Sequence, residues 1–271
     1  MNPALILKSD GATLYITRDI ATAIYRDQTY KPALNLYVVG SEQTYYFQQL
    51  KAVLLEMGLK SAENLHHIPF GLITVNGKKL STRSGRIILL DEVLDDAIEL
   101  AKKQIETKNP DLPNKEEVAK EVGVGAIIFG DLKNERTNNI DFVLEDQLRF
   151  EGETGPYVQY SHARAESILK KAGNIDLHAA DKSITDENAW DTIRTLQDFP
   201  EVVKSACADF EPSEIAKYSL RLAKAFNKYY AHSTILGDDE GLASRLSLVK
   251  AVSIVLKESL NLLGVKAPDE M

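Results

Sequence analysis

The spacing of hydrophobic positions changes partway along the chain. Leu34-Asn35-Leu36-Tyr37-Val38-Val39 is a short apolar, partly β-branched run that stops at Gly40. Behind it, Leu50, Val53, Leu54 and Met57 recur at helical spacing before Gly58. Strand, glycine turn and helix make up the repeating unit of a parallel sheet with crossovers. Ile73-Thr74-Val75 predicts a further strand and Asn76-Gly77 a turn; a polar loop to Gly85 then leads to Ile87-Ile88-Leu89-Leu90.

From Asp91 the period is helical. Asp91 reads as the N-cap of a helix carrying Val93, Leu94, Ala97, Ile98 and Ala101. After a break at Asn109-Pro110 to Pro113-Asn114, Val118, Val122, Ala126 and Phe129 mark a second helix. A polar stretch from Asn134 to Asn139 leads to Gly152-Glu153-Thr154-Gly155-Pro156, where proline suits a new helix start. Apolar positions then predict helices around Val158–Ala172 and Trp190–Leu196, new starts at Pro200 and Pro212, and a final helix from about Gly241 to Leu263. The pattern predicts α/β followed by all-α. Its expected pieces are residues 1–90, a connecting helical segment at 91–150, and a helical bundle at 151–271.

Composition narrows the class. The 271 residues are 44% hydrophobic and 27% charged, the proportions of a soluble globular protein with room for a sizeable core. No apolar run is long enough to span a membrane, and Met1-Asn2-Pro3 leads into Ala4-Leu5-Ile6-Leu7 without a basic region before it. A cytoplasmic location is therefore expected. Cys207 is the only cysteine, which rules out a disulfide within these residues, and five scattered histidines form no metal-ligand cluster, so no protein metal site is expected. The net charge of −8 lowers the expectation of a nucleic-acid partner, because such binding draws on cations that neutralise phosphates. A large RNA nevertheless touches only one face.

The most suggestive chemistry lies in Lys78-Lys79-Leu80-Ser81-Thr82-Arg83-Ser84-Gly85. Its cations, hydroxyls and flanking glycines suit a loop that closes on polyphosphate during nucleotidyl transfer. A solvated basic hairpin would have the same composition, and the spacing is not that of a Walker A loop. Gly123-Val124-Gly125 with Gly130 lies inside a helical pattern and reads as close helix packing, not a dinucleotide fingerprint. If Tyr15 ends a strand and Asp19 begins a helix, hydroxyl and carboxylate converge at a sheet's carboxyl edge, where open α/β sheets bind ligands. Asp19 as a simple N-cap has the same spacing. Tyr157 and Tyr160 fall three apart on one predicted helix, a platform for unpaired bases, with Arg164 one turn on to meet phosphate. Core tyrosines are the plainer alternative, and His162 reads as a packed or surface histidine.

Taken together, these segments resemble arginyl-tRNA synthetase, a class I aminoacyl-tRNA synthetase, over essentially the whole chain. Ser9 to Asp19 looks like that family's arginine-pocket segment, which implies Tyr15, Asp19 and Gln43 as contacts to L-arginine. Lys79-Leu80-Ser81-Thr82-Arg83 is similar to the second class I signature, with Leu80 for the usual methionine and Ser84 where many relatives carry lysine. Lys79, Ser81 and Arg83 are then the catalytic candidates, and Thr82, His67, Phe70 and Gly71 join them around ATP. Gly152 to Arg164 is the most specific match and resembles the opening of the anticodon-binding domain. It implies tRNA contacts at Tyr157, Tyr160 and Arg164, with Met271 as the family's C-terminal methionine near the anticodon loop. Phe226-Asn227-Lys228-Tyr229-Tyr230 fits the same domain.

The resemblance implies the C-terminal part of a Rossmann-like catalytic domain plus a helical-bundle anticodon-binding domain. It also implies ATP as substrate with Mg2+, and tRNA-Arg and L-arginine as partners. The first class I signature, His-x-Gly-His, does not occur, and His66-His67 lacks its spacing. Nor is the family's N-terminal tRNA-elbow domain present. The chain is therefore expected to be a C-terminal fragment that is catalytically incomplete alone, monomeric or paired with the missing N-terminal half; a non-catalytic tRNA-binding module or the remnant of an interrupted gene is the alternative.

Overall fold

The computed structural model describes residues 1–75, 78–79, 89–177, 184–237 and 239–271. They form two compact units: Met1–Leu72 with Arg136–Asn139, and Ile73–Glu135 with Ile140–Met271. Compactness thus groups the helices at 91–135 with the C-terminal helices, whereas the sequence suggests three pieces with limits near 90 and 150.

In the first unit, a tight turn at Lys8–Ala12 with Gly11 at φ 80° precedes helix α1 (Tyr15–Tyr30). The Thr17 hydroxyl secures this start by accepting from the Leu14 N–H at 3.4 Å and donating to the Ile6 carbonyl. Tyr15 therefore opens the helix instead of ending a strand, and Asp19 lies one turn inside it instead of capping it. The sequence misleads here because Leu7-to-Thr13 pairs only as an isolated bridge. Strand β1 (Asn35–Gly40) passes through a 3-10 turn (Ser41–Gln43) into α2 (Thr44–Glu56), and a second 3-10 turn leads to β2 (Leu65–Phe70). β1 and β2 pair in parallel, from Asn35 opposite Leu65 to Gly40 opposite Phe70. Ile16, Ile20, Ala23, Phe47, Leu50, Leu54, Ala62 and Leu65 form the core between sheet and helices.

The second unit opens with a small sheet. β3 (Ile73–Val75) pairs antiparallel with β4 (Lys78–Lys79) and parallel with β5 (Ile140–Asp141). Helices α3 (Leu90–Lys108) and α4 (Lys115–Leu132) pack together closely because Gly123 carries no side chain; a Cβ there would lie 2.7 Å from the Ile98 backbone. That matches the packing role expected of the glycine pattern. α3 is preceded by Leu89, not Asp91, so Asp91 and Glu92 occupy its first turn, where carboxylates complement the helix dipole.

After the short α5 (Leu144–Gln147), the Thr154 hydroxyl accepts from the Tyr157 N–H at 3.3 Å and starts α6 (Gly155–Ala172). α7 (Trp190–Asp209) runs straight through Pro200, correcting the helix start expected there. A proline inside a helix forfeits one backbone bond. Residues on both sides of it (Ile193, Leu196, Val202, Val203) pack on the common core, which holds the helix continuous. Pro212 does precede a helix, α8 (Ser213–His232), and α9 (Leu242–Leu262) follows Gly241. Val158, Phe226, Leu222, Val249, Val252 and Leu256 are fully buried where these helices meet.

Candidate functional site

The carboxyl edge of the parallel pair is built from two chain ends. β1 delivers Gly40 and then Gln43, which is exposed as the residue preceding α2; β2 delivers Phe70 and Gly71. The Gly71 N–H donates to the Arg136 carbonyl at 2.7 Å, and Arg136 Nη1 donates to the Pro69 carbonyl at 2.9 Å. A Cβ on Gly71 would stand 2.1 Å from the Asn138 carbonyl oxygen, so only glycine fits there. The Arg136–Asn139 segment thus shapes the edge; sequence reasoning saw only a polar stretch.

Tyr15 is 81% exposed, whereas the Asp19 carboxylate accepts a hydrogen bond from the Tyr46 hydroxyl of α2. Burial, reinforced by the bond to Asp19, pushes the Tyr46 phenol well above its ordinary range, so it remains a donor. Among the described residues, Tyr15, Asp19 and Gln43 share no hydrogen bond with one another. The His67 ring stacks on Phe47 at 4.6 Å with Nε2 3.0 Å from the Val39 carbonyl, which leaves the backbone of β2 as its route to a ligand. Ser81, Thr82 and Arg83 lie outside the described residues, as does the Asn76-Gly77 turn, and Lys79 is described only as the end of β4.

The second unit carries a row of cations and aromatic rings. Lys108 Nζ lies 4.6 Å from the centre of the Phe150 ring, and Phe150 meets Tyr160 edge-on at 6.3 Å. Arg164 Cζ stands 4.8 Å from the Tyr160 ring and 4.9 Å from that of Tyr230. The guanidinium also donates to the Asn227 side chain, whose amide donates to Ser161 Oγ at 2.8 Å. Tyr160 and Tyr230 are 36% and 44% exposed, leaving aromatic surface accessible to a base. Tyr157 rests instead against the helical core, so the ring contacts of Tyr160 run to Phe150 and Arg164. Arg164, expected to meet phosphate, is already held between two rings; such cation–π pairs contribute about 0.5–2 kcal/mol each. Phe150, Lys108 and Tyr230 were missed as partners. Only Tyr230 left a sequence signal, in the Phe226–Tyr230 motif.

The acidic composition is met elsewhere on this unit. Along α8, Lys217, Arg221, Lys224 and Lys228 pair with Glu135, Asp198, Glu153 and Asp191. These exposed pairs contribute little stability. They do tie up cations in carboxylate contacts, whereas Lys108 and Arg164 face rings.

The last residues are tied to α4, α6 and α9. Buried Gln159 donates to the carbonyls of Lys266 at 2.8 Å and Glu121 at 3.2 Å, and Asn109 Nδ2 donates to the Met271 carbonyl at 3.2 Å. Met271 packs with Phe150 against the α3–α4 core. His162, fully buried, has Nδ1 3.1 Å from the Ser253 carbonyl and Nε2 3.1 Å from Asp269 Oδ1. Partial burial raises the Asp269 carboxyl, but bonds from His162 and Lys257 outweigh it and hold the group below its usual range.

Comparison with known proteins places both units. The profile described as tRNA synthetases class I (R), catalytic domain, matches residues 1–144, and that of the DALR anticodon binding domain matches residues 158–271. An arginine–tRNA ligase from Levilactobacillus brevis is 75% identical over the whole chain, and one from Pediococcus pentosaceus is 70% identical. The chain spans about half the length of these curated relatives, 48% in both cases. Thermus thermophilus arginyl-tRNA synthetase superposes with a TM-score of 0.91 at 34% identity, covering all of this chain and 52% of that one. A Plasmodium falciparum arginyl-tRNA synthetase, 23% identical with a TM-score of 0.83 over 98% of this chain and 46% of that one, shares the fold. With its catalytic-domain match covering more than half of its residues and an anticodon-domain match covering most of the rest, the chain belongs to the arginyl-tRNA synthetase family.

Proposed function

We propose that this chain serves as the C-terminal half of an arginine–tRNA ligase, holding the anticodon loop of tRNA-Arg while supplying part of the site that activates arginine with ATP. The cation–aromatic row from Lys108 to Tyr230 carries the reading. Unpaired bases stack on rings, and each stacked base contributes about 1–3 kcal/mol. Tyr160 and Tyr230 offer exposed ring surface, Tyr157 supports α6 from the core side, and Met271 packs on the same α3–α4 core as Phe150. Arg164 keeps the row rigid, which reduces the ordering cost of binding.

At the carboxyl edge of β1 and β2, Gln43, Phe70 and Gly71 are assigned to arginine and the adenine of ATP. Asp19, oriented by Tyr46, presents a carboxylate to a guanidinium, with Tyr15 one turn earlier on the same helix. Lys79, Ser81, Thr82 and Arg83 are assigned to the phosphates. Adenylate formation draws on positioning and charge stabilisation more than on proton transfer. Among the described residues no group of three or more His, Cys, Asp or Glu is arranged to hold a metal, so Mg2+ would arrive on the nucleotide phosphates. No described helix is long and apolar enough to cross a membrane, and the working location is the cytoplasm. In this reading residues 1–90 serve catalysis, 91–150 connect, and 151–271 bind the anticodon.

Arginylation of tRNA-Arg, measured with the chain alone and after adding a polypeptide corresponding to the N-terminal half of a close relative, tests the assignment. Charging is expected only with both halves present. Turnover by the chain alone would overturn the claim of catalytic incompleteness, and failure with both halves would favour a binding module.

A further inference from the structure

The tail beyond α9 reaches Asn109, the neighbour of Lys108 in the cation–aromatic row, and a buried histidine is among the contacts that hold it. His162 lies on α6 two residues past Tyr160 and is fully buried. Its two ring nitrogens face two groups that only accept: the Ser253 carbonyl on one side and the Asp269 carboxylate on the other, each at 3.1 Å. A neutral imidazole donates one hydrogen bond and accepts one, so it satisfies only one of these groups.

Other charges face this pair from every packed element. Lys257 on α9 reaches Asp269 at 3.2 Å. Lys250 on α9 and Glu166 on α6 pair at 3.3 Å, and the Ser253 hydroxyl bonds to Glu166. Glu121 on α4 lies in the field of Asp269, Lys257 and the tail's own Lys266.

Asp269 is two residues from Met271, whose carbonyl is bound by Asn109, the neighbour of Lys108. We propose that the His162–Asp269 contact is a latch that fixes residues 265–271 against α6 and so positions Met271 against the α3–α4 core on which Phe150 also packs, making His162 a positioning residue of the RNA-binding face. The latch's purpose rests on the functional reading above. It joins the α6 segment that carries Tyr160 to the tail that completes the same surface.

The test uses the 271-residue chain, its Asp269→Ala and Asp269→Asn variants, and an RNA hairpin with the anticodon stem-loop of an arginine tRNA. Asp269 is largely exposed, so neither substitution opens a cavity in the core, and circular dichroism checks that helical content is unchanged. In Asp269→Ala, amide exchange over 265–271 is expected to quicken about five-fold, with hairpin affinity falling by a similar factor. In Asp269→Asn a polar side chain still faces Nε2 and keeps a hydrogen bond to it, so the tail stays protected. Unchanged exchange in Asp269→Ala, or exchange in Asp269→Asn as fast as in Asp269→Ala, would overturn the latch. If the parent chain binds this hairpin no better than one of unrelated loop sequence, the functional reading fails while the exchange arm still decides the latch.

Discussion

The two compact units bury their apolar surface differently. In the helical unit Phe129, Phe226, Leu222, Leu256 and Leu260 are wholly withdrawn from solvent, and helices contact one another on several sides. In the α/β unit the parallel pair β1–β2 packs one face on α2, whereas Leu36 and Val38 on the other face are 44% and 66% exposed. Parallel sheets ordinarily have both faces covered. One unit therefore closes its own core; the other, by itself, leaves apolar sheet surface open. The same difference separates their chemistry, since the aromatic row lies within the helical unit while the activation site is assigned to an edge of only two described strands.

That contrast can be broken or sharpened by measurement. Phe226→Ala removes a fully buried ring and is expected to cost about 3–5 kcal/mol in denaturant unfolding of the helical unit. Native-state hydrogen exchange should be at least about 100-fold slower for core amides of α8 and α9 than for those of β1 and β2; equal protection would dissolve the contrast. Gly123→Ala places a methyl against the Ile98 backbone and is expected to cost about 1–3 kcal/mol, with thermal unfolding as the check. Val38→Thr, at an exposed position, should change stability by less than about 0.5 kcal/mol, and a larger loss would show that this face is covered after all.

Much of the helical unit was legible because helical spacing and punctuation agree there. Thr154 and Pro156 start α6, Pro212 precedes α8 and Gly241 precedes α9, as their positions suggested. Pro200 misled, since packing on both sides overrides the local penalty of one lost backbone bond. Tyr15 and Asp19 were placed on the right segment with the wrong local structure, because residues 1–14 carry strand-like composition but form only one bridge. At the candidate RNA face, Tyr160, Arg164 and Met271 could be named from the Gly152–Arg164 resemblance and the chain's last residue. Their partners could not, because Lys108, Phe150 and Tyr230 come from distant segments and meet only in the fold. The His162–Asp269 contact spans a similar sequence distance and has no local signature.

Binding of the anticodon stem-loop hairpin by the chain, compared with its Tyr160→Ala variant at fixed salt, tests the central assignment most directly. The parent chain should bind saturably, and loss of the ring should weaken binding by about 10-fold or more at unchanged helical content. Equal affinity for the two proteins would contradict the assignment of this row to the anticodon loop.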